Sequence, residues 1–239
     1  MLDCLKRNLE NPAIDHVHLL LERVAPPLEH PRLVVRAAEC RPSYEDFFVW
    51  ANEVSNGDID LSIICNSDIY FDSSVAAAMQ LLNERRCIAL ARWDQRGSEF
   101  RLRDRNDSQD SWIFRGKIPP VVANFAVGVP RCDNRILHEL QASGLQVINP
   151  ARSLRSYHLH AGDREEYSGA NLKHFVEPPY SYLWPHNAYH WPSTVLHNIR
   201  NRNSRLKWQL DYQRLYRSLF LRVTRKLRSM FGRQQQESV

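Results

Sequence analysis

In LSIICNSD, which covers residues 61–68, a short apolar run leads directly into three short polar side chains. The first five residues are typical of a β-strand that is buried on both faces of a sheet. Asn66, Ser67 and Asp68 then stand at the carboxyl end of that strand, which is where open α/β sheets bind their ligands. The stretch therefore predicts an α/β fold with a binding site at one edge of its sheet.

Further strands and helices are predicted on both sides of this stretch. Apolar runs predict four more strands, at residues 16–22, 32–36, 87–91 and 145–148. Ser43 and Asp72 are placed to cap helices between these strands. The alternation of strands and helices predicts a mainly parallel sheet covered by helices. Residues 97–109 are polar and charged, and we interpret them as a surface loop.

Length and composition fit one such domain with an appendage. The chain has 239 residues, 43% of them hydrophobic, which is enough for one well-buried core and too little for two full domains. We divide the chain into an α/β domain (1–165), an aromatic and proline-rich extension (166–199) and a basic helical tail (200–239). No run of about 18 apolar residues occurs, so we expect no membrane-spanning helix.

The five cysteines are spread along the chain and include no CxxC pair. This spacing predicts neither a disulfide framework nor a zinc ribbon. A reducing compartment fits the pattern, and we expect a cytoplasmic protein.

The formal net charge of +5 has its origin in the tail. Residues 200–233 are rich in Arg and Lys and contain one acid, Asp211. Apolar residues recur at every fourth position from Leu215 to Leu227, which predicts an amphipathic helix. This C-terminal basic helix could lie on anionic lipid at the inner face of a membrane, or it could pack on its own domain or a partner chain. Nucleic-acid binding is a weaker interpretation, because the aromatic residues are not arranged as a stacking platform.

The polar residues after the strand at 61–65 are candidates for metal binding. Asp68 can coordinate a hard divalent cation, since such cations prefer oxygen ligands, and Asn66 can bind a ribose or a metal-bound water. The alternative is a turn in which both side chains cap backbone groups. His158 and His160 alternate on a predicted strand and share one face. They are candidate metal ligands, although such a pair is more often only hydrogen-bonded.

Asp133 is the candidate general base. It falls at the start of a helix predicted to run to Leu140, where the helix dipole favours the carboxylate and should lower its pKa. A carboxylate in this position can accept the proton of an acceptor hydroxyl. The alternative role is an N-cap.

Other polar residues are suited to binding sugar and phosphate. Gln109, Asp110 and Asn134 can bind the hydroxyl groups of an acceptor, and Trp112 can stack on the apolar face of a sugar. The alternative places Trp112 in the core, at the start of a strand. Arg92 follows another strand and can hold a phosphate through a bidentate contact, or it can form an ion pair.

The order of these segments resembles that of the bacterial-type GT-A glycosyltransferases. The resemblance covers roughly residues 4–165. It is carried by CLKRNLENPAIDHVHLLLE (4–22), NSDIYFD (66–72), ALARWD (89–94), SQDSWIFRG (108–116), NFAVGVPRCDNRI (124–136), INP (148–150) and HLH (158–160). The ordered set is more specific than any of its members.

The resemblance implies a GT-A-like, Rossmann-like fold, a nucleotide-sugar donor and a divalent cation, Mn²⁺ or Mg²⁺. Asn66, Ser67 and Asp68 would stand where these enzymes carry the DxD motif, with Asn in place of the first acid. His158 or His160 would match the late histidine of the metal site. Asp133 would match the base on the acceptor side, with Asp110 as the second candidate. Arg92 and the Asn66–Asp68 segment would then contact the donor.

The implied activity is transfer of a sugar to a hydroxyl of a glycan or a lipid-linked acceptor. The family's domain begins with a strand that contacts the nucleotide base, and no such strand precedes Leu2 here. We therefore expect an unpaired sheet edge and weaker donor binding. The alternative function is a catalytically degenerate GT-A-like module that binds a glycan or a partner.

Overall fold

The structure, a computed structural model, describes residues 1–159 and 175–188. The described part of the chain has an α/β fold, which confirms the predicted class. Its helices are α1 (Leu2–Glu10), α2 (Tyr44–Val54), α3 (Ala78–Leu81) and α4 (Cys132–Ala142), with a 3-10 helix at Ser73–Ala77 before α3. The strands are β1 (Val17–Glu22), β2 (Leu33–Ala38), β3 (Leu61–Cys65), β4 (Ile69–Phe71), β5 (Arg86–Leu90), β6 (Trp93–Arg96), β7 (Glu99–Leu102), β8 (Ser111–Arg115), β9 (Gln146–Ile148) and β10 (Ser156–His158). His160 and the tail at 200–239 lie outside these residues.

The central sheet is mixed, so the prediction of a mainly parallel sheet is wrong. Its strand order is β3-β8-β5-β9. β8 runs antiparallel to β3 and to β5, and β9 runs parallel to β5. Parallel neighbours need a long crossover connection, usually a helix. No helix lies between β5 and β8, so β8 returns antiparallel to β5.

The segment between β5 and β8 is itself partly a sheet. β6 and β7 pair antiparallel as a hairpin, with Arg96 opposite Glu99. The prediction of a surface loop over 97–109 is therefore wrong for β7, and it is also wrong for the buried Gln109. Alternating exposed and half-buried residues mark β7 as an amphipathic strand, a pattern that its high charge content hides in the sequence.

Two smaller sheets flank the central one. β4, β10, β6 and β7 form one of them, with β10 antiparallel to β4 and parallel to β6. β1 and β2 form a separate parallel pair. Within the described residues, β1 has no strand partner on its other edge.

Local sequence signals set the ends of the helices. Ser43 and Asp46 form a capping box at the start of α2, as the sequence predicts. α4 begins after Arg131, which has a left-handed backbone conformation (φ 72°). It ends before Gly144, whose φ of 91° favours glycine. Asp72 caps the 3-10 helix through Ser74 N, so the helix predicted after Asp72 is a 3-10 turn followed by the short α3.

The central sheet is buried on both faces because alternate residues of its strands contribute to two different apolar clusters. One cluster contains Ala89, Trp112 and residues of α2 and α4. The other contains Ile88, Ile113 and residues of the 3-10 helix and α3. Two-sided burial explains the all-apolar strand sequences. Among the described helices, none has the length and apolar character that a membrane span requires.

Candidate functional site

The topology gathers three of the predicted segments at one edge of the central sheet. β3 and β5 run in the same direction, so their last residues lie at the same edge. β8 runs in the opposite direction and begins where they end. Asn66, Arg92 and Asp110 follow or precede these strands and therefore meet, with Asn66 Nδ2 donating to Asp110 Oδ1 at 3.2 Å.

Arg92 is the central cation of this edge. Its guanidinium donates to Asp94 Oδ1 at 2.7 Å and to Asp110 Oδ1 at 2.9 Å. Its side chain is only 9% exposed. Two carboxylates thus bind the guanidinium that was predicted to hold a phosphate. The alternative prediction for Arg92, an ion pair, is the one present, and the pair is buried. Burial opposes the charge, but Asp110 and Asp94 outweigh it and raise the pKa of Arg92.

His158 joins this cluster from β10. Its Nδ1 lies 3.1 Å from Asp94 Oδ1, and its Nε2 lies 2.9 Å from Asp68 Oδ2. Burial works against the imidazolium, but the hydrogen bonds to the two carboxylates raise the pKa of His158. Burial likewise works against both carboxylates, yet the pKa of Asp68 is lowered, mainly by the hydrogen bond from His158. That hydrogen bond and Arg92 hold the pKa of Asp94 well below its ordinary value.

The 2.9 Å spacing of Asp68 Oδ2 and His158 Nε2 is that of a direct hydrogen bond. A divalent cation that bound both atoms would have to displace the proton they share. Asp94 faces the other ring nitrogen, an arrangement that orients metal-binding histidines. Asp68 Oδ1 has no hydrogen-bond partner within the described chain.

A third ligand is needed to complete such a site. Over residues 1–159 and 175–188, no three His, Cys, Asp or Glu side chains form a metal-binding group. His160, the other predicted ligand, lies outside the described residues. Within the described residues, Asp68 and His158 are the two predicted cation ligands that the structure brings together.

Asp133 lies at the first turn of α4, on the other side of Asp110. Its Oδ1 accepts the backbone N–H of Asn134 at 2.9 Å, and Gln109 N–H also stabilises the carboxylate. Burial, with the nearby charge of Asp110, nevertheless raises the pKa of Asp133 to about 7. The sequence-based expectation that the helix dipole lowers this pKa is wrong, because burial and a like charge outweigh the dipole.

Asp110 connects the two halves of the site electrostatically. Burial raises its pKa, while Arg92 and His158 oppose that shift. Its Oδ1 is bound by Arg92 and Asn66, and its Oδ2 has no partner within the described chain. Asp110 is thus a buried carboxylate held at the sheet edge, close enough to Asp133 to raise that residue's pKa.

Three predicted acceptor ligands are buried rather than displayed. Trp112 is 2% exposed and meets Tyr44 edge-on in the core, so its ring is not accessible for stacking on a sugar. Gln109 is 2% exposed and donates to Leu183 O. Asn134 is 1% exposed. Ser67, in contrast, is an exposed residue whose hydroxyl donates to Met1 Sδ.

Residues 175–188 form a strap that covers this region. The strap has no helix or strand of its own. Its backbone is bound at several points: Ser181 N donates to Asn134 O, Leu183 N to Asn106 O and His186 N to Asn149 O. No pattern in the aromatic stretch to which the strap belongs predicts its structure. The hydrogen bonds place the strap across the loop before β8 and the start of α4.

Two polar residues of the site were missed by sequence reasoning. Asp94 orients both Arg92 and His158; its position two residues after Arg92 on a strand is the signal that could have identified it. Asn149 is fully buried, and its side chain bridges Ala91 N and Leu183 O. A buried Asn in the INP segment carries no such signal, because its partners are distant in sequence.

Comparisons of the chain with protein-family models, with curated proteins and with solved structures each found no match.

Proposed function

We propose that this protein is a glycosyltransferase that moves a sugar from a nucleotide-sugar donor to a hydroxyl acceptor with the help of a divalent cation. The proposal is supported mainly by one observation: two carboxylates of the same site, Asp68 and Asp133, lie in different electrostatic environments. Asp68 faces His158 at 2.9 Å, in an arrangement suited to a cation and a diphosphate. Asp133 has a pKa of about 7, in the range that suits a general base.

Each residue has a separate task in this proposal. Asp68 and His158 would hold Mn²⁺ or Mg²⁺, and Asp94 would orient His158. A bound cation would neutralise the diphosphate leaving group. Asp133 would accept the proton of the attacking hydroxyl at the anomeric carbon, and Asp110 would keep the pKa of Asp133 high. The pairing of Arg92 with two carboxylates fits a structural role better than phosphate binding.

The test is a thermal-shift screen of UDP, GDP, CMP and their sugars, each with and without Mn²⁺. A ligand that binds only the folded state raises the melting temperature, and at a hundredfold excess over Kd the shift should be about 5–11 °C for a chain of this size. We expect a metal-dependent shift with one nucleotide. It should be lost in Asp68→Asn and kept in the control Asp104→Asn, which alters an exposed carboxylate paired with Arg152.

Turnover separates the transferase from its alternative. Release of nucleoside diphosphate should fall at least a hundredfold in Asp133→Asn, because the general base is lost. The alternative is a GT-A-like module that binds a glycan or a partner without catalysis. The incomplete ligand set of Asp68 and His158 and the separate β1–β2 pair favour it. Glycan binding without nucleoside diphosphate release from any donor would establish that alternative.

The predicted location and tail remain separate hypotheses. A cytoplasmic enzyme with a lipid-linked acceptor would benefit from a basic helix over 200–239 that lies on anionic lipid. Binding of the full chain to vesicles containing phosphatidylserine, lost after deletion of residues 200–239, would support that role.

A further inference from the structure

β1 and β3 each have one edge that pairs with no other strand of residues 1–159 and 175–188. β1 pairs with β2 alone, and β3 pairs with β8 alone. The N–H and C=O groups along an open edge are a template for a further strand, and proteins often protect such edges with Lys or Pro. Neither VHLLLE in β1 nor LSIIC in β3 contains Lys or Pro. Both edges are therefore open to pairing.

The hydrogen bonds of β1 show which of its backbone groups face the open edge. Val17 N donates to Arg32 O, next to β2, at 2.8 Å. Alternate residues of a strand direct their N–H and C=O groups to opposite sides, so Val17 and every second residue after it face β2. The N–H and C=O groups of His18 and Leu20 therefore face the open edge of β1.

The same argument applies to β3. Asn66 N, just after the strand, donates to Asp110 O, just before β8. Asn66 and every second residue before it therefore face β8. The N–H and C=O groups of Leu61, Ile63 and Cys65 face the open edge of β3.

Helix α2 covers one face of both β1 and the central sheet. Trp50 of α2 meets the ring of His18 in β1 edge-on, with ring centroids 4.9 Å apart. Phe48 of α2 packs on Phe114 of β8 in the same way, at 5.5 Å. The strand pair and the central sheet therefore lie side by side under one helix.

Helix α1 and the residue before β1 bring the same two strands together on the other face. α1 contacts β1, and the thiol of its Cys4 interacts electrostatically with that of Cys65 in β3. Ile14, which precedes β1, packs against the same apolar cluster as Leu61 and Ile63. β1 is thus the strand of its pair that lies nearer to β3, so the open edges of β1 and β3 lie on facing sides.

The residues beside both edges determine what can bind there. Backbone donors and acceptors on two facing edges are satisfied together by an extended polypeptide. The side chains of β1 and β3 are mainly aliphatic and mostly only half-buried, so an apolar segment gains most from covering them. Each described strand already belongs to a sheet, so a second copy of the described fold has none to donate.

We propose that the open edges of β1 and β3 bind an extended, apolar segment of a partner protein, which adds a β-strand between them. The added strand would join the β1–β2 pair to the central sheet. This interaction surface goes beyond the proposed function, because it uses backbone groups of β1 and β3 and none of the candidate catalytic or cation-binding side chains.

The test measures binding of a fluorescein-labelled peptide, acetyl-KKVIVTVIVKK-amide, to the full chain by fluorescence anisotropy. Two further peptides of the same sequence carry N-methyl groups on alternate residues of the apolar core, each on a different set. Each methylated peptide can donate hydrogen bonds from only one of its edges. We expect the parent peptide to bind, and both methylated peptides to bind at least tenfold more weakly, because a strand between β1 and β3 uses both edges.

Two proline variants locate the bound peptide. Leu20→Pro removes an N–H group that faces the open edge of β1, and it leaves the β1–β2 hydrogen bonds in place. The matched control Val35→Pro does the same on the outer edge of β2, since Val35 is one residue out of phase with those that face β1. We expect Leu20→Pro to raise the peptide Kd at least tenfold and Val35→Pro to change it less than twofold. Melting curves by circular dichroism check that both variants fold.

Three outcomes would overturn the inference. The first is that the parent peptide does not bind. The second is that only one of the two methylated peptides binds more weakly, because the peptide is then added to a single edge. The third is that Val35→Pro loses binding while Leu20→Pro keeps it, which would place the peptide on the outer edge of β2. The methylated peptides are compared on the wild-type chain, so that comparison holds even if a proline variant is unstable.

Discussion

Asp94 and Asp133 lie in the same site and experience opposite electrostatics. Asp94 has Arg92 and His158 as direct partners, and its pKa is held far below the ordinary value. Within the described chain, Asp133 is hydrogen-bonded by backbone N–H donors and lies near the carboxylate of Asp110, and its pKa rises to about 7. Burial raises both values, so the difference is due to the cations hydrogen-bonded to Asp94. Arg105 interacts electrostatically with Asp133, but its guanidinium is hydrogen-bonded to Asp107 instead.

The difference between the pKa values of Asp94 and Asp133 means that two carboxylates at one sheet edge are suited to different chemistry. The half of the site that contains Asp94 keeps its carboxylates ionised, which suits cation binding. The half that contains Asp133 destabilises its carboxylate, which suits proton transfer near neutral pH. Asp110 lies between the two halves and couples them.

Among these predictions, removal of the Arg92 charge should change the free energy of unfolding most. Within the described chain, Arg92→Met leaves the buried Asp110 without a bonded cation, while Asp94 keeps His158 and Arg103. Breaking a buried pair in this way costs about 3–5 kcal/mol. Urea denaturation should show this loss. The control Arg101→Met removes a partner of Glu99 at an exposed site (69% exposed) and should change stability by less than about 0.5 kcal/mol. Equal losses in the two variants would contradict the assigned role of Arg92.

Neutralisation of Asp133 should stabilise the fold above neutral pH. Because its pKa is raised from 3.8 to about 7 in the folded state, the folded chain binds more protons, and its stability falls as pH rises between those values. Asp133→Asn removes this loss, so it should be more stable than the wild type by up to about 4 kcal/mol at pH 8. The gain should disappear near pH 4, as measured by urea denaturation at both values. A gain that is the same at the two pH values would exclude titration as its cause.

The electrostatic coupling between Asp110 and Asp133 should make the smallest contribution to the free energy of unfolding. Asp110→Asn removes a charge that raises the pKa of Asp133, so the stability gain from Asp133→Asn should be smaller in this background. The amide retains an oxygen that can accept from Arg92 and Asn66. A double-mutant cycle at pH 8 measures the coupling, for which we expect about 0.5–1 kcal/mol. A coupling of zero would mean that Asp110 and Asp133 titrate independently.

The sequence was most informative where the signal is local. The strand over 61–65 and the capping box of Ser43 and Asp46 depend on residues close together in the chain, and both are present. The position of Asp68 just after a strand was also predictable, because the end of the apolar run marks where the strand ends. These features define the α/β class and one half of the candidate site.

Features that depend on distant partners were not predictable. An apolar strand has the same pattern whichever way it runs, so the sequence could not reveal that β8 is antiparallel. For Trp112 the sequence left both stacking on a sugar and a place in the core open, and packing against distant residues such as Tyr44 places it in the core. The pKa of Asp133 depends on Asp110 and on burial by other segments, whereas the helix dipole is the only influence visible locally.

The strap also determines when the site can form during folding. It is tied to Gln109 by a hydrogen bond that spans 74 residues, and contacts of large sequence separation form late because the loop between them must first be closed. During synthesis all four strands of the central sheet are made before Ser181. The sheet can therefore assemble first, and the surroundings of Asp133 are finished only when the strap closes over them.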